Sequence, residues 1–208
     1  MRVVVPYDAI DPKSRLADTL GPEERHAFAR AMRQDVIEAL LAIGYEPEIL
    51  ATAAIESTAD DAVTTTIDDR PLTPAVNAVL AEADEPVAII MADLALATQA
   101  TLERLFETPG DLAIVPGRGG GTNAFITRDP AFRVDYHGMS YLDHRRIARE
   151  HDMTVTEIDS YRLATDIDER ADLVEVLLHG NGHSRRWLQD AGFTIAIDDG
   201  RVGIKRDR

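Results

Sequence analysis

Three aspartates and a few cations carry the chemistry that this sequence could perform. Asp93 ends the apolar run Pro86-Val87-Ala88-Ile89-Ile90-Met91-Ala92-Asp93, and Asp166 and Asp168 lie two apart in Thr165-Asp166-Ile167-Asp168-Glu169. In an extended segment residues two apart point the same way, so that pair can place both carboxylates in one small volume. With Asp93 they would make an oxygen-only site of the kind that suits Mg2+ bridging phosphates. Each acid also has a plainer use: Asp93 as a turn or helix N-cap residue, Asp168 as an N-cap, and Asp166 with Glu169 as a capping box. Lysine occurs only at Lys13 and Lys205, which makes Lys13 conspicuous. The densest glycine cluster is Pro116-Gly117-Arg118-Gly119-Gly120-Gly121-Thr122-Asn123-Ala124, whose N–H groups can form an anion-binding nest with Arg118 and Thr122 as phosphate-type donors. It matches neither the P-loop nor the dinucleotide fingerprint, and a flexible loop would use the same glycines. Among the histidines, His179 and His183 have i,i+4 spacing, but Gly180 and Gly182 interrupt the helix that a zinc pair would need. His26, His137, His144 and His151 read as surface or structural groups.

The elements that must position these groups alternate strand and helix. Residues 2–6 predict a first strand, with Pro6 ending its ladder because proline donates no hydrogen bond. A loop carrying Asp11-Pro12-Lys13-Ser14-Arg15-Leu16 follows. Pro22, Glu23 and Glu24 open a helix whose stripe runs through Phe28, Met32, Val36, Leu40 and Ile43 to Gly44. Strands are predicted at 48–51 and 62–67, and a helix capped by Thr73-Pro74 runs through Ala83. The run ending at Asp93 is short and apolar on every side, as a strand buried on both faces of a parallel-type sheet must be. Ligands bind at the carboxyl edge of such sheets, where Asp93 falls. A helix near 98–108, strands at 112–116 and 124–126, a helix opened by Tyr136-His137-Gly138-Met139-Ser140, a strand at 155–158 and a helix carrying Leu173 to Leu177 complete an α/β pattern. Residues 193–197 and 201–204, joined by Asp198-Asp199-Gly200, predict a C-terminal β-hairpin.

Composition bounds the rest. The 208 residues contain no linker-like stretch, so one domain over 1–208 is expected. There is no cysteine, which excludes disulfides and thiolate metal sites. Neither a signal peptide nor a membrane-length apolar stretch is present, and a soluble cytoplasmic protein is expected. A net charge of −15 argues against nucleic acid or anionic lipid as a partner, so any bound phosphate must meet a local basic pocket. Many acids with almost no lysine suggest adaptation to high intracellular salt.

Lys13-Ser14-Arg15-Leu16 after a first strand, Asp93-Leu94, the glycine cluster at 116–124 and Thr165-Asp166-Ile167-Asp168 together resemble the 2-phospho-L-lactate guanylyltransferases, over nearly the whole chain. One departure is Ala95, where proline is expected after Asp93-Leu94; it costs turn rigidity but no chemical group. The resemblance implies a three-layer α/β/α nucleotide-diphospho-sugar transferase fold, generally homodimeric. It implies transfer of GMP from GTP to 2-phospho-L-lactate, or in bacterial relatives phosphoenolpyruvate, with release of pyrophosphate, in the making of coenzyme F-420. Carried over residue by residue, it assigns Mg2+ to Asp93, Asp166 and Asp168, and the triphosphate to Lys13 and Arg15, with Arg118 a weaker candidate. Thr122, Gly138 and Ser140 would line the acceptor's carboxylate and phosphate, and the loop after Pro6 would face the base. Other nucleotidyltransferases of this fold, acting on a molybdenum cofactor or a sugar phosphate, usually carry a glycine-rich loop directly after the first strand, which this chain lacks. A nucleotide-sugar-dependent glycosyltransferase would release no pyrophosphate, and a non-catalytic nucleotide-binding protein would have little use for three converging carboxylates.

Overall fold

In a computed structural model, which describes residues 1–55 and 63–207, the apolar runs become strands of one seven-stranded sheet. Strand β1 (Arg2–Tyr7) pairs in parallel with β2 (Glu48–Ala51) on one side and β4 (Val87–Ile90) on the other, and β3 (Thr65–Ile67) extends the sheet beyond β2. Past β4 come β6 (Thr122–Thr127), β5 (Leu112–Pro116) and β7 (Val155–Glu157), for the order β3-β2-β1-β4-β6-β5-β7. Strand β6 runs antiparallel to both of its neighbours, and every other pairing in this sheet is parallel. Strands β8 (Phe193–Asp198) and β9 (Arg201–Arg206) form the separate antiparallel hairpin.

Alternation along the strands divides the apolar side chains between two cores, one on each face. Val3, Val5, Ala88, Ile90, Ala113 and Ile126 pack with the buried stripes of α1 (Pro22–Ala42), α3 (Gln99–Glu107), α6 (Asp172–His179) and α7 (His183–Asp190). Val4, Val87, Ile89, Leu112, Ile114 and Phe125 pack with α2 (Leu72–Glu82) and α4 (Ser140–Glu150). Burial on both faces is why these strands read as unbroken apolar runs. The result is the expected three-layer α/β/α arrangement. Among the described residues no helix is long and apolar enough to cross a membrane.

Several boundaries differ from the sequence reading for identifiable reasons. Strand β1 does not stop at Pro6. Arg2 donates its N–H to Pro86 O at 2.9 Å, so even-numbered N–H groups of β1 face β4. Proline has none to offer on that side, and pairing with β4 ends at Val4, while the ladder to β2 continues to Tyr7 opposite Ala51. The two central strands therefore separate at their carboxyl ends. Helix α2 starts at Leu72 after Pro71, not at Thr73, because Thr73 Oγ1 is taken by the Tyr136 N–H at 2.9 Å; Pro74 still lies in the first turn, where its missing donor costs nothing. Strand β3 begins only at Thr65, and Ala62 of the predicted strand lies outside the described residues. Strand β6 begins two residues early, at Thr122. A short helix α5 (Tyr161–Ala164), capped by Ser160, was not expected.

Candidate active site

The loop after β1 is fixed by its own carboxylates and by α1. Asp8 Oδ1 accepts the N–H of Ile10 at 2.9 Å and the hydroxyl of Thr52 at 3.1 Å, and Thr52 Oγ1 accepts the N–H of Ala9 at 2.9 Å. Further along, Arg25 Nη1 holds Asp11 Oδ1 at 2.6 Å and Pro12 O at 2.8 Å. These ties leave Lys13 in a left-handed conformation, φ 56°, uncommon for a residue with a side chain and concentrated at functional sites. Its carbonyl starts the 3-10 turn Ser14–Leu16, whose Leu16 is fully buried.

So placed, Lys13 reaches across the carboxyl ends of β1 and β4. Its Nζ donates to Asp93 Oδ2 at 2.6 Å and to Asp168 Oδ1 at 2.6 Å, and Arg15 Nη1 meets Asp168 Oδ2 at 3.2 Å. Burial alone would lower the pKa of the Lys13 ammonium, but the two aspartates outweigh it and hold it above its ordinary value. Asp93 lies in the turn just past β4, and its carbonyl accepts the N–H of Ile167 at 3.4 Å, which brings the second acidic segment alongside. Ile167 is fully buried, while Asp166 and Asp168 on either side of it are only partly so. Asp166 accepts from Asn123 Nδ2 at 3.2 Å, and burial, with the charge of Asp93 next, raises its carboxyl pKa. The capping-box alternative is not formed: α6 begins only at Asp172, whose own Oδ2 accepts the N–H groups of Asp168 and Glu169.

Lys13, Asp93 and Asp168 line a cavity of about 520 Å3 where β1 and β4 diverge. Sheet order reverses direction between these strands, the place where open α/β sheets bind ligands. The end of β1 at Pro6 and Tyr7 forms one wall with Asp8, and the β3–α2 connection with Asp68, Asp69 and Arg70 forms another. Leu50, Ala75 and Met91 give an apolar floor, and Lys13, Asp93 and Asp168 sit at the charged end. An apolar bay ending in fixed charges suits a nucleoside with its phosphates.

The remaining predicted residues lie apart from this cavity, with Thr122 and Ser140 buried and Gly138 exposed. A β-bulge at Asn123 opposite the Val115/Pro116 step interrupts the alternation of β6. Asn123 turns toward Asp166 and the Leu163 carbonyl, while Thr122 faces the other way, toward His144 Nδ1 at 2.9 Å. In the glycine loop, Gly117 N–H donates to Gly121 O at 2.8 Å, and Gly120 O accepts the Tyr141 N–H at 3.2 Å, which seats the loop on the start of α4 beside Gly138 and Ser140. Gly138 has φ 51°, and the N-terminus of α4 carries no side-chain cap. Arg118 is not gathered with Lys13: it is exposed and 3.9 Å from Asp172 Oδ1, at the start of α6. Sequence reasoning passed over Asn123, Arg25 and the Asp68–Arg70 pair. Only an Asn beside a glycine run hinted at the first, and the others become visible once the loops are folded.

The three carboxylates supply oxygen donors of the kind that Mg2+ takes. Asp93 Oδ1 is buried without a hydrogen-bond partner, and three carboxylates face two cations, leaving excess negative charge. Among the described residues no cluster of three His, Cys, Asp or Glu is drawn in to metal-binding geometry, and Lys13 Nζ stands between Asp93 and Asp168. An orphaned oxygen among carboxylates fits a hard divalent cation, provided Lys13 yields its place.

Comparison with known proteins identifies the family and the fold. The model of the family described as "Guanylyl transferase CofC like" matches residues 1–206. The 2-phospho-L-lactate guanylyltransferase of Halomicrobium mukohataei is 58% identical over 206 residues, covering 99% of this chain and 100% of that protein. That of Haloferax volcanii is 53% identical over 209 residues, covering 100% of both. Among solved structures, a Desulfovibrio desulfuricans G20 protein assigned as a candidate nucleotide-diphospho-sugar transferase superposes with a TM-score of 0.70 at 17% identity, over 90% of this chain and 93% of that one. A nucleotidyl transferase of Methanothermobacter gives a TM-score of 0.60 at 13% identity, over 91% and 99%. The chain belongs to the CofC-like guanylyl transferase family, with the 2-phospho-L-lactate guanylyltransferases as its near relatives.

Proposed function

We propose that this guanylyltransferase joins GMP from GTP to 2-phospho-L-lactate, releasing pyrophosphate, as a step toward coenzyme F-420. Family membership sets the reaction class, and one observation carries the assignment of the site: Lys13 held between Asp93 and Asp168 in the lining of the cavity. The nucleoside occupies the apolar bay, and its triphosphate meets Lys13 and Arg15. A phosphate oxygen of the acceptor attacks the α-phosphorus in line; the new O–P bond forms as the bond to pyrophosphate breaks. The acceptor phosphate is already anionic, so the chain need supply neither a nucleophile nor a general base, and catalysis rests on positioning and charge neutralisation. Lys13 stabilises the leaving pyrophosphate, its backbone held in place by the ordered loop. Asp93, Asp166 and Asp168 would hold Mg2+, which when bound neutralises phosphate charge and aligns the reacting oxygens. Thr122, Gly138 and Ser140 hold the acceptor's carboxylate and phosphate, helped by the uncapped N-terminus of α4.

The test is pyrophosphate release from GTP with 2-phospho-L-lactate, with phosphoenolpyruvate, and with neither. Release that requires the phosphorylated three-carbon acid supports the reading. Release that requires a sugar phosphate instead, or none with either acid, overturns it.

A further inference from the structure

His144, four residues after Ser140 on α4, is fully buried and makes two hydrogen bonds whose directions can be worked out. Its ring is held edge-on by Tyr136 at 5.0 Å, Phe132 at 5.9 Å and Phe125 at 6.2 Å. Nε2 lies 3.0 Å from the backbone N of Asp135. An amide N–H can only donate, so Nε2 accepts and bears no proton. Burial lowers the ring's pKa to about 4, so it is neutral at neutral pH and its single proton sits on Nδ1. Nδ1–H points at Thr122 Oγ1, 2.9 Å away, and the hydroxyl oxygen accepts. Thr122, itself 4% exposed, therefore has its proton to give elsewhere, and among the described residues no side chain or carbonyl is recorded as accepting it. The bulge at Asn123 puts Thr122 on this face, and the Gly120–Tyr141 hydrogen bond brings its strand to the start of α4, where Ser140 lies.

We propose that His144 is a positioning residue for the acceptor: by donating to Thr122 Oγ1 it makes the threonine an obligate donor toward an anionic oxygen of the bound three-carbon acid. The inference rests on the reading above that Thr122 lines the acceptor pocket. Its chemical content is polarity. A threonine free to rotate its hydroxyl could present either a proton or a lone pair to the pocket, and only the proton suits a carboxylate or phosphate. The Asp135 amide sets the tautomer, the tautomer sets the hydroxyl, and the hydroxyl selects an anion.

The experiment is a double-mutant cycle on Thr122→Val and His144→Leu, reading KM for the acceptor, KM for GTP and Tm. Each single variant is expected to raise the acceptor KM about tenfold, the scale of one hydrogen bond to a charged ligand, with the GTP KM unchanged. The double variant should be no worse than Thr122→Val alone, because the second change removes an interaction already lost. His144→Asn, which can keep a donor near the Nδ1 position, should recover most of the loss. The packing role will appear separately, as a Tm drop for His144→Leu that is the same with or without Thr122. If the acceptor penalty of His144→Leu persists in full beside Thr122→Val, His144 acts through packing and the inference falls while the acceptor assignment stands. An unchanged acceptor KM in Thr122→Val overturns both. Should His144→Leu fail to fold, His144→Gln, whose polar atoms sit one carbon farther out, enters the cycle under the same criteria.

Discussion

At the level of single residues, the site turns on which group each charge faces. Asp93 presents one oxygen to Lys13 and keeps the other buried and unpartnered, so removing its charge strikes both the lysine and the proposed cation. Asp93→Asn, nearly isosteric, is expected to lower turnover by orders of magnitude with little change in Tm, and near-normal Mg2+-dependent turnover in that variant would remove Asp93 from the mechanism. Lys13→Ala should cost roughly a hundredfold or more in kcat, as loss of a preorganised donor at a developing charge does. The neutral His144 adds a pH signature. Its folded pKa, about 4, lies below the ordinary 6.5, so the unfolded chain takes up the proton first as pH falls. The contribution is complete above pH 6.5 and is lost between there and about 4, on the order of 3 kcal/mol at about 1.36 kcal/mol per pH unit. Tm measured across that window should fall less steeply for His144→Asn than for the natural chain. Tyr136 offers the opposite case: its hydroxyl is buried without a partner, so Tyr136→Phe should be neutral or raise stability by about 1 kcal/mol in a denaturant titration.

Among the elements, the start of α7 depends on one carboxylate of α1. Asp35 accepts the N–H of His183 at 2.5 Å, the N–H of Ser184 at 3.0 Å and the Ser184 hydroxyl, so it caps α7 from a different helix. Gly182 leaves room for it, since a Cβ there would stand 2.1 Å from Asp35 Oδ1. Asp35→Ala should destabilise by about 2 kcal/mol or more, read as a lower urea midpoint, because a cap is lost and buried donors are left unpaired. None of this was legible in the sequence, where Asp35 is one acid among many on a long helix. The strands were legible because burial on both faces leaves nearly uninterrupted runs, as Val87 to Ile90 shows. What stayed hidden was direction and register: β6 reads as one more short apolar run, and nothing in its composition marks it as antiparallel or announces the bulge that separates Asn123 from Thr122. The aspartates were found as residue types at the ends of elements. Asn123, the partner of Asp166, and Arg25, which ties down Asp11 and Pro12, come from other segments and so appear only when the chain is closed.

For the whole molecule the governing quantity is a net charge of −15 on 208 residues. Salt weakens exposed pairs such as Arg146–Glu150, but each is worth about 0–1 kcal/mol, whereas repulsion among the excess acids acts over the entire surface. Between 0.1 M and 1 M salt the screening length falls from about 10 Å to about 3 Å, so repulsion is the term that fades. Tm should therefore rise with KCl into the molar range; a flat or falling Tm would refute the balance drawn here. Association with two anionic substrates should respond in the same direction, with kcat/KM for GTP increasing as screening removes the barrier to approach.

The salt bridges from Lys13 also bear on how the enzyme comes into being. They join residues 80 and 155 positions apart, so the site is assembled from the first, middle and last thirds of the chain. Synthesis at roughly 5–20 residues per second separates the emergence of Lys13 from that of Asp168 by about 8–30 s. During that interval a nascent chain can form β1, β2 and β4, yet lacks one of the two aspartates that keep the buried ammonium charged. Contacts of such sequence separation close late and slowly. A truncated or stalled chain would thus be inert, and turnover would report on completion of the fold more sharply than circular dichroism of its helices.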